Sequence, residues 1–300
     1  MNIHARRIIS YIVLVILTLM CLIWFYILMI NATRSHGELT RGFTPFPSTH
    51  LVENLHNVMH GTLPIAAGMR NSIFVSVCCA ILCTYFSTMT AYAVHVYDFK
   101  LKKFMATFIL AVMMIPGQVT ALGFLRLIDR IGMDDSLTPL IIPSIASPIV
   151  YFYMKQYMES NLPSSLIEAA RIDGSNEFKT FNWICVPLMK PAIAVQAIFT
   201  FVSTWNNYFT PALVLHTDTK KTLPVLIAQL RSADFLKFDM GQVYAMIAFS
   251  IFPVIVVYLI LSIFLAVLYI HACNEYRLSN RSFGRSGNLE ALARLCREAV

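Results

Sequence analysis

The residues best suited to chemistry form one short stretch, EAARIDG, which lies between two hydrophobic runs. Its acidic side chains, Glu168 and Asp173, are not accompanied by a nucleophile, a general base and an orienting group at catalytic spacing. The adjacent Ala169 and Ala170 leave a helix here thin, so that it can lie close against another surface. The stretch therefore indicates a binding segment, and the sequence predicts no catalytic residue.

Local signals predict two short helices, bent at a glycine, within the polar segment 155–190. Ser165 followed by Glu168 has the spacing of a capping box at the start of the first helix. Gly174 follows this helix at a position that favours left-handed backbone. A second polar helix is predicted over residues 176–184.

A second polar patch interrupts a later apolar run. It consists of Trp205, Asn206, Asn207 and Tyr208. Aromatic faces stack on sugar rings and amides hydrogen-bond hydroxyl groups, so the patch suits a hydroxylated solute. The alternative is packing, because Trp and Asn commonly make contacts between membrane helices. Gln118 is a further candidate to line the same path.

The elements that position these residues are predicted to be membrane helices. Of 300 residues, 57% are hydrophobic and 13% are charged, and the mean hydropathy is +0.65. Soluble domains carry roughly 25% charged residues, so this chain has too little charge to solvate a globular surface. The predicted fold class is therefore an all-α membrane protein. Six apolar runs without Asp, Glu, Lys or Arg predict its transmembrane helices: roughly 8–30, 71–94, 104–125, 137–154, 191–215 and 240–272.

The distribution of basic residues predicts the orientation. Most of the 23 lysines and arginines, including three in the short link 95–103, fall on the side of the N-terminus. Because basic residues are retained in the cytoplasm, both termini and the segment 155–190 are predicted to be cytoplasmic. Segments 31–70 and 217–239 are then expected outside.

The chain is not expected to supply its own energy. The six runs contain no acidic or basic residue that could bind a coupling ion at membrane depth. No Gly-Lys dipeptide occurs, which excludes a GxxxxGK[ST] phosphate-binding loop. None of the seven cysteines forms a CxxC pair, and His56 and His60 alone do not complete a metal site. The sequence predicts no metal site and no cofactor in this chain.

The segment around Glu168 resembles a family signature. EAA, three residues, G, nine residues and ICVP is similar to the EAA---G---------I-LP signature of ATP-binding-cassette (ABC) importer permeases, with Val186 where leucine is usual. Asn71–Ser72, MMIPGQV at 113–119 and TWNNYFTPALVL at 204–215 resemble carbohydrate importers of the maltose type. The similarity covers roughly residues 8–272. Of the two permeases in such an importer, the chain resembles the six-span one, which has no large extra domain.

This resemblance implies a type I importer permease: six transmembrane helices within 1–275, with a cytoplasmic EAA loop at 155–190 that contains a coupling helix, and a tail at 276–300. It implies location in the bacterial cytoplasmic (inner) membrane, in contact with lipid. The implied partners are a homologous second permease, two ATPase subunits that bind ATP and Mg²⁺, and an extracytoplasmic solute-binding protein. No nucleic acid is expected. The residues implied to dock in the ATPase are Glu168, Ala169, Ala170, Asp173 and Gly174.

Other interpretations stay open at this point. The chain could be a self-contained channel or facilitator in which 155–190 is only a folded link, or an ABC importer permease for a non-sugar solute. Glu168 could serve only to cap its own helix, and Asp173 could be solvated surface. Arg171 is expected to be solvated surface.

Overall fold

The computed structural model describes the backbone of residues 3–232 and 239–282, with side chains described between Arg7 and Val267 outside that gap, and at Ile270. The α-helices within these ranges are α1 (Ile3–Ala32), α2 (His36–Thr40), α3 (Leu51–His60), α4 (Ile65–Val96), α5 (Lys102–Val112), α6 (Gly117–Arg130), α7 (Thr138–Ile141), α8 (Pro148–Asn161), α9 (Ser164–Ile172), α10 (Glu177–Thr180), α11 (Val186–Trp205), α12 (Phe209–Val214), α13 (Leu223–Arg231) and α14 (Met240–Ser282). No β-strand occurs in the described ranges.

Four helical stretches of the described chain are long and apolar enough to cross a membrane: Arg7–Ala32, Ile65–Val96, Glu177–Trp205 and Met240–Val267. Helix is the expected outcome, because lipid offers no partner to a backbone N–H or C=O group and a helix satisfies both internally. The predicted runs 8–30 and 71–94 lie inside α1 and α4. Exposed apolar side chains along α1, such as Leu14 and Trp24, suit contact with lipid.

The predicted continuous span 104–125 is wrong in shape. The chain forms α5 and α6 there, and these two helices meet at an angle of 98°. Pro116 lies in the break. Proline lacks an N–H group, and its ring clashes with the carbonyl four residues earlier in a regular helix, so the helix ends before it. If this bent pair forms one span, up to five stretches of the described ranges are long and apolar enough to cross a membrane.

The predicted continuous span 137–154 is also interrupted. α7 passes into a 3₁₀ turn at Ile142–Ile145, and α8 starts anew at Pro148. The hydroxyl of Ser147 accepts a hydrogen bond from the N–H of Val150 and so caps α8. Prolines suit the first turn of a helix but not its interior, which explains why this run restarts.

The predicted run 191–215 begins earlier and ends earlier than expected. Its helix starts at Glu177 and passes through a π-helical turn, Phe181–Cys185, into α11, which ends at Trp205. The separate helix predicted over 176–184 is therefore the beginning of this span. Pro187 would clash with the carbonyl of Trp183 in a regular helix, and the wider π turn around that carbonyl lets the helix continue.

Two compact units divide the chain. The first comprises the chain up to Val75, Gly123–Leu140 and Trp205–Val254. Within it, Ile128, Val214 and Leu215 are buried together, with Phe124 and Leu137 among the residues packed against them. This small core holds the ends of α6 and α12 together.

The second unit comprises Ser76–Leu122, Ile141–Thr204 and the chain from Ile255 onward. Its core is larger and joins residues from α4, α8, α9, the π turn and α11. The fully or almost fully buried members include Tyr92, Met154, Met158, Ile167, Phe181, Cys185 and Met189. Burial of such side chains is the main source of stability in a packed core.

Two parts of the predicted organisation lie outside the described residues. These are residues 233–238 of the loop predicted at 217–239, and residues 283–300 of the tail predicted at 276–300. The backbone of α14 is described as helix up to Ser282.

Candidate functional site

The coupling segment, residues 163–177, contains α9 and the turn that follows it. α9 starts one residue before the predicted capping residue, because Pro163 is the N-cap and makes no side-chain capping bond. The predicted capping box between Ser165 and Glu168 is therefore wrong. Pro163 itself has extended backbone and fits a position that needs no N–H donor.

The end of α9 is a tight left-handed turn, as the sequence predicts. Gly174 has φ +76°. Its N–H donates to the carbonyl of Arg171 at 3.0 Å, and the N–H of Ser175 donates to the carbonyl of Ala170 at 3.0 Å. These two bonds form a Schellman motif, which satisfies the last carbonyls of the helix. An L-residue in this conformation would be strained, which accounts for glycine here.

α9 has one buried face and one exposed face. Ile167 and Ala170 are 2% and 5% exposed, and Ile167 belongs to the core of the second unit. Glu168 and Ala169 are exposed, and Ile172 is 87% exposed. Of the residues implied to dock in an ATPase, Ala170 is thus buried, and Asp173 and Gly174 join the others at the surface. One face of α9 is thus anchored by burial, and the opposite face is exposed.

A cluster of polar side chains closes the coupling segment. Glu177 accepts a hydrogen bond from Nε of Arg171 at 2.7 Å and another from the hydroxyl of Tyr92 at 3.0 Å. The guanidinium carbon of Arg171 lies 5.6 Å from the centre of the Tyr97 ring. Arg171 is exposed, as predicted, and at the surface it is also paired and stacked. Burial and the neighbouring Glu177 carboxylate raise the pKa of Tyr97.

The polar patch predicted at 205–208 comprises the last residue of α11 and the link to α12. Trp205 is 3% exposed, whereas Asn206, Asn207 and Tyr208 are exposed. The side-chain oxygen of Asn207 accepts a hydrogen bond from the N–H of Thr210 at 3.4 Å, which helps to start α12. The two amides and the phenol are therefore exposed together between α11 and α12, whereas the indole of Trp205 is buried.

Gln118 lies in the first turn of α6, directly after the bend at Pro116, and is exposed. It belongs to the second unit, and the patch at 205–208 belongs to the first. Its role as a pathway residue stays a prediction.

The family model for the inner membrane component of binding-protein-dependent transport systems matches residues 84–270. This range covers more than half of the chain and includes the coupling segment. The chain belongs to that family.

Relatives of this permease with assigned transport systems match most of its length. The arabinooligosaccharides transport system permease protein AraQ of Halalkalibacterium halodurans is 34% identical over 206 residues, which cover 68% of this chain and 74% of that protein. The sn-glycerol-3-phosphate transport system permease protein UgpE of Pectobacterium atrosepticum is 28% identical over 266 residues, which cover 87% of this chain and 94% of that protein.

A solved structure confirms the fold of the permease. The structure is of a bacterial ABC transporter involved in the import of the acidic polysaccharide alginate. One of its chains superposes with a TM-score of 0.75 at 24% identity and covers 86% of this chain and 96% of that chain. The permease therefore has the all-α type I fold of ABC importers, as its EAA signature predicts.

The permease also has a cluster of polar contacts around Asp135, here called the Asp135 node, which was not predicted from the sequence. Asp135, at φ +53°, accepts hydrogen bonds from the N–H groups of His216 and Thr217 at 2.9 and 3.1 Å and from the Thr217 hydroxyl at 2.7 Å. The ammonium group of Lys220 lies 3.0 Å from the same carboxylate. These donors, the Thr217 hydroxyl first among them, hold the pKa of Asp135 far below its ordinary value.

Asn71 and Ser72, in α4, fix the 215–223 loop of the permease, which contains the three partners of Asp135. The Asn71 amide donates to the carbonyls of Thr219 and Lys221 at 2.9 and 3.1 Å. The Ser72 hydroxyl accepts from the N–H of Leu223 at 2.8 Å. Together with Asp135, these residues hold the 215–223 loop through its backbone.

Proposed function

We propose that this permease forms one half of the membrane part of an ATP-driven importer and is driven through its coupling segment. The observation that carries the proposal is the division of α9 into a buried face and an exposed face. Ile167 and Ala170 anchor the helix, while Glu168, Ala169 and Ile172 are open to a partner. A short anchored helix with a narrow exposed face is suited to a cleft on another protein.

The mechanism follows from what α9 is attached to. α8 ends at Asn161 and the span containing α11 starts at Glu177, so α9 lies between two helices of the permease. Closure of two ATPase subunits around ATP and Mg²⁺ would move α9 and, with it, both attached helices. A homologous second permease would supply the other half of the pathway, and alternating access would result from the two halves rocking around a central site, as in other transporters.

The proposed cargo is a carbohydrate delivered by an extracytoplasmic solute-binding protein. The relative from Halalkalibacterium halodurans is named for arabinooligosaccharides, and the solved transporter for a polysaccharide. The exposed amides of Asn206 and Asn207 and the phenol of Tyr208 are groups that bind sugar hydroxyls. The name of the UgpE relative supports a phosphorylated polyol as the second candidate.

The proposed orientation places both termini and the coupling segment in the cytoplasm. It is supported by the basic residues on that side of the predicted spans. The 215–223 loop would then face the solute-binding protein.

Coupling is tested in a complex reconstituted from this permease, a candidate ATPase and a candidate second permease. Glu168→Lys reverses a charge on the exposed face of α9, and Gly174→Pro cannot adopt φ +76° or donate to Arg171. Both variants should lose co-purifying ATPase or uptake linked to ATP hydrolysis. Glu159→Lys, a charge reversal on exposed Glu159 of α8, is the matched control. Unchanged coupling in both test variants would favour a self-contained channel.

The cargo is tested by uptake of radiolabelled arabinotriose, maltotriose and sn-glycerol-3-phosphate into cells that express the whole system. We expect ATP-dependent uptake of a saccharide and a higher KM in Asn207→Ala. Uptake of glycerol phosphate alone would assign the second candidate cargo. Uptake that persists without ATPase subunits would contradict the proposal.

A further inference from the structure

We infer that Glu177 is a positioning residue that ties the coupling segment to α4, so that α4 moves together with α9 during transport. This inference rests on the proposed function. It adds a third membrane helix to the two that the chain attaches directly to the coupling segment. The argument starts from the contacts of the Glu177 carboxylate.

Glu177 accepts hydrogen bonds from both sides of the junction. Nε of Arg171, at the end of α9, lies 2.7 Å from one oxygen, and the hydroxyl of Tyr92, near the end of α4, lies 3.0 Å from the other. One carboxylate therefore bridges α9 and α4. Charge-assisted hydrogen bonds of this kind are short and orient their partners.

Arg171 also contacts the residue that follows α4. Its guanidinium stacks over the ring of Tyr97, which follows the last residue of α4. The Tyr92 and Tyr97 rings pack edge to face with centres 6.5 Å apart. A planar guanidinium both pairs with a carboxylate and stacks on an aromatic ring, which an ammonium group cannot do equally well.

Two further polar contacts connect α4 to the residues that flank α9. Nε2 of His95 lies 3.0 Å from the carbonyl of Leu162, just before the coupling segment. The hydroxyl of Tyr85 donates to the side-chain oxygen of Asn182, just after it, at 3.1 Å. The last three turns of α4 thus have polar contacts before, within and after the coupling segment.

The chain itself provides no such connection. α4 ends at Val96, and α5, α6, α7 and α8 follow before α9 begins at Ser164. Motion of α9 can reach α4 only through side-chain contacts. Apolar packing of Tyr92 on Phe181, with ring centres 5.4 Å apart, supports the bridge but would allow sliding, because such packing is less directional than a charged hydrogen bond.

The bridge can be removed without unfolding the unit. The side chains of Arg171 and Glu177 are each 40% exposed, and exposed ion pairs contribute little to folding stability. The buried core around Met154 and Phe181 is left intact by changes at these two positions. Because Glu177→Ala also removes the acceptor of the hydroxyl of buried Tyr92, the thermal unfolding midpoint of each variant is measured beside uptake, so that a change in transmission is separated from a change in folding.

The test compares Glu177→Ala with Glu159→Ala in the complete complex in proteoliposomes with its solute-binding protein. Glu159 also pairs with a basic residue, Lys155, but four positions away within α8 and without reaching α4. The saccharide transported in the uptake assay above is the probe. Glu177→Ala should lower the number of solute molecules imported per ATP by about fivefold or more, the lower end of typical coupling between sites. Glu159→Ala should not change it.

Tyr92→Phe and Arg171→Lys sharpen the test with smaller changes. Tyr92→Phe removes a single hydroxyl, and its effect should not add to that of Glu177→Ala, because both remove the same contact. Arg171→Lys keeps the charge and should fall between wild type and Glu177→Ala.

Amide hydrogen exchange gives a readout independent of uptake. In wild type, ATP should change exchange in peptides covering α9 and in those covering residues 84–96. In Glu177→Ala the change should persist in α9 and be lost in residues 84–96.

The outcomes separate the inference from the proposed function. If wild type shows no ATP-dependent uptake and binds no ATPase, the proposed function and the inference are both refuted. If wild type couples normally and Glu177→Ala keeps the wild-type ratio and exchange pattern, only the bridge is refuted. Co-purification of the ATPase with Glu177→Ala shows that docking persists, so that a lower ratio is assigned to transmission.

Discussion

The coupling segment and the 215–223 loop are each bound by a carboxylate that accepts several hydrogen bonds, but the donors differ in kind. Glu177 accepts hydrogen bonds from two side chains, those of Arg171 and Tyr92. Asp135 accepts two of its hydrogen bonds from backbone N–H groups of the 215–223 loop. The first arrangement joins side chains of separate elements, and the second fixes the path of the backbone itself.

This difference indicates two mechanical roles. Side-chain contacts join α9 to α4 without fixing the backbone around them, so the coupling segment can move as one body together with α4. Backbone donors cannot be re-oriented without changing φ and ψ, so a loop held by them keeps one shape. We interpret the coupling segment as a moving joint and the 215–223 loop as a fixed surface.

The largest expected effect on stability is that of Asp135→Ala. It leaves two backbone N–H groups, the Thr217 hydroxyl and the Lys220 ammonium without their shared acceptor. We expect a loss of about 2 kcal/mol, the scale of hydrogen bonds to a charged group, measured as a lower thermal unfolding midpoint in detergent.

Asp134→Ala is the matched control for that change. Asp134 is the neighbouring acid, its side chain is 49% exposed, and its carboxylate lies 3.4 Å from the imidazole of His216. Its removal should have little effect. Equal effects of the two substitutions would mean that the Asp135 node does not hold the loop.

The pH dependence of stability sharpens the same point. The pKa of Asp135 is lowered in the folded protein, so its contribution is present above the unfolded pKa, about 3.9, and is lost as the pH falls below it. The advantage of wild type over Asp135→Asn should therefore shrink by about 1 kcal/mol between pH 6 and pH 3. Unfolding midpoints at the two pH values measure it, and a constant difference would contradict the assigned contacts.

Features set by neighbouring residues could be predicted from the sequence. The left-handed turn at Gly174 was expected because a helix signal precedes it, and its φ is +76°. The runs 8–30 and 71–94 contain no proline, and each lies within one helix. The EAA signature predicted the family because its spacing is local.

Features set by distant residues could not be predicted. Tyr92 and Glu177 are 85 positions apart, and Thr217 and Asp135 are 82 positions apart. Nothing near these residues in sequence marks them as partners. The bend at Pro116 was missed for a related reason, since proline in an apolar run either kinks or ends a helix according to which neighbours satisfy the freed backbone groups.

The smallest expected effect is that of Thr217→Val, and it tests the comparison most directly. The substitution removes one hydroxyl that donates to a carboxylate, as Tyr92→Phe does in the coupling segment. The N–H of Thr217 and that of His216 still donate to Asp135. Because Thr217 is exposed, water can replace its hydroxyl. The loop should therefore keep its shape, at a cost of about 0.5 kcal/mol in the unfolding free energy, the low end of the net contribution of a hydrogen bond.

Tyr92→Phe should instead lower the solute imported per ATP, because side-chain donors alone join Glu177 to α4. Thermal unfolding and coupled uptake are measured for Thr217→Val and Tyr92→Phe in parallel, and the two results test the contrast between the loop and the coupling segment. If Thr217→Val destabilised the protein as much as Asp135→Ala, the loop would depend on side-chain donors after all. The contrast between a fixed surface and a moving joint would then have no basis in the donors, because both segments would be held in the same way.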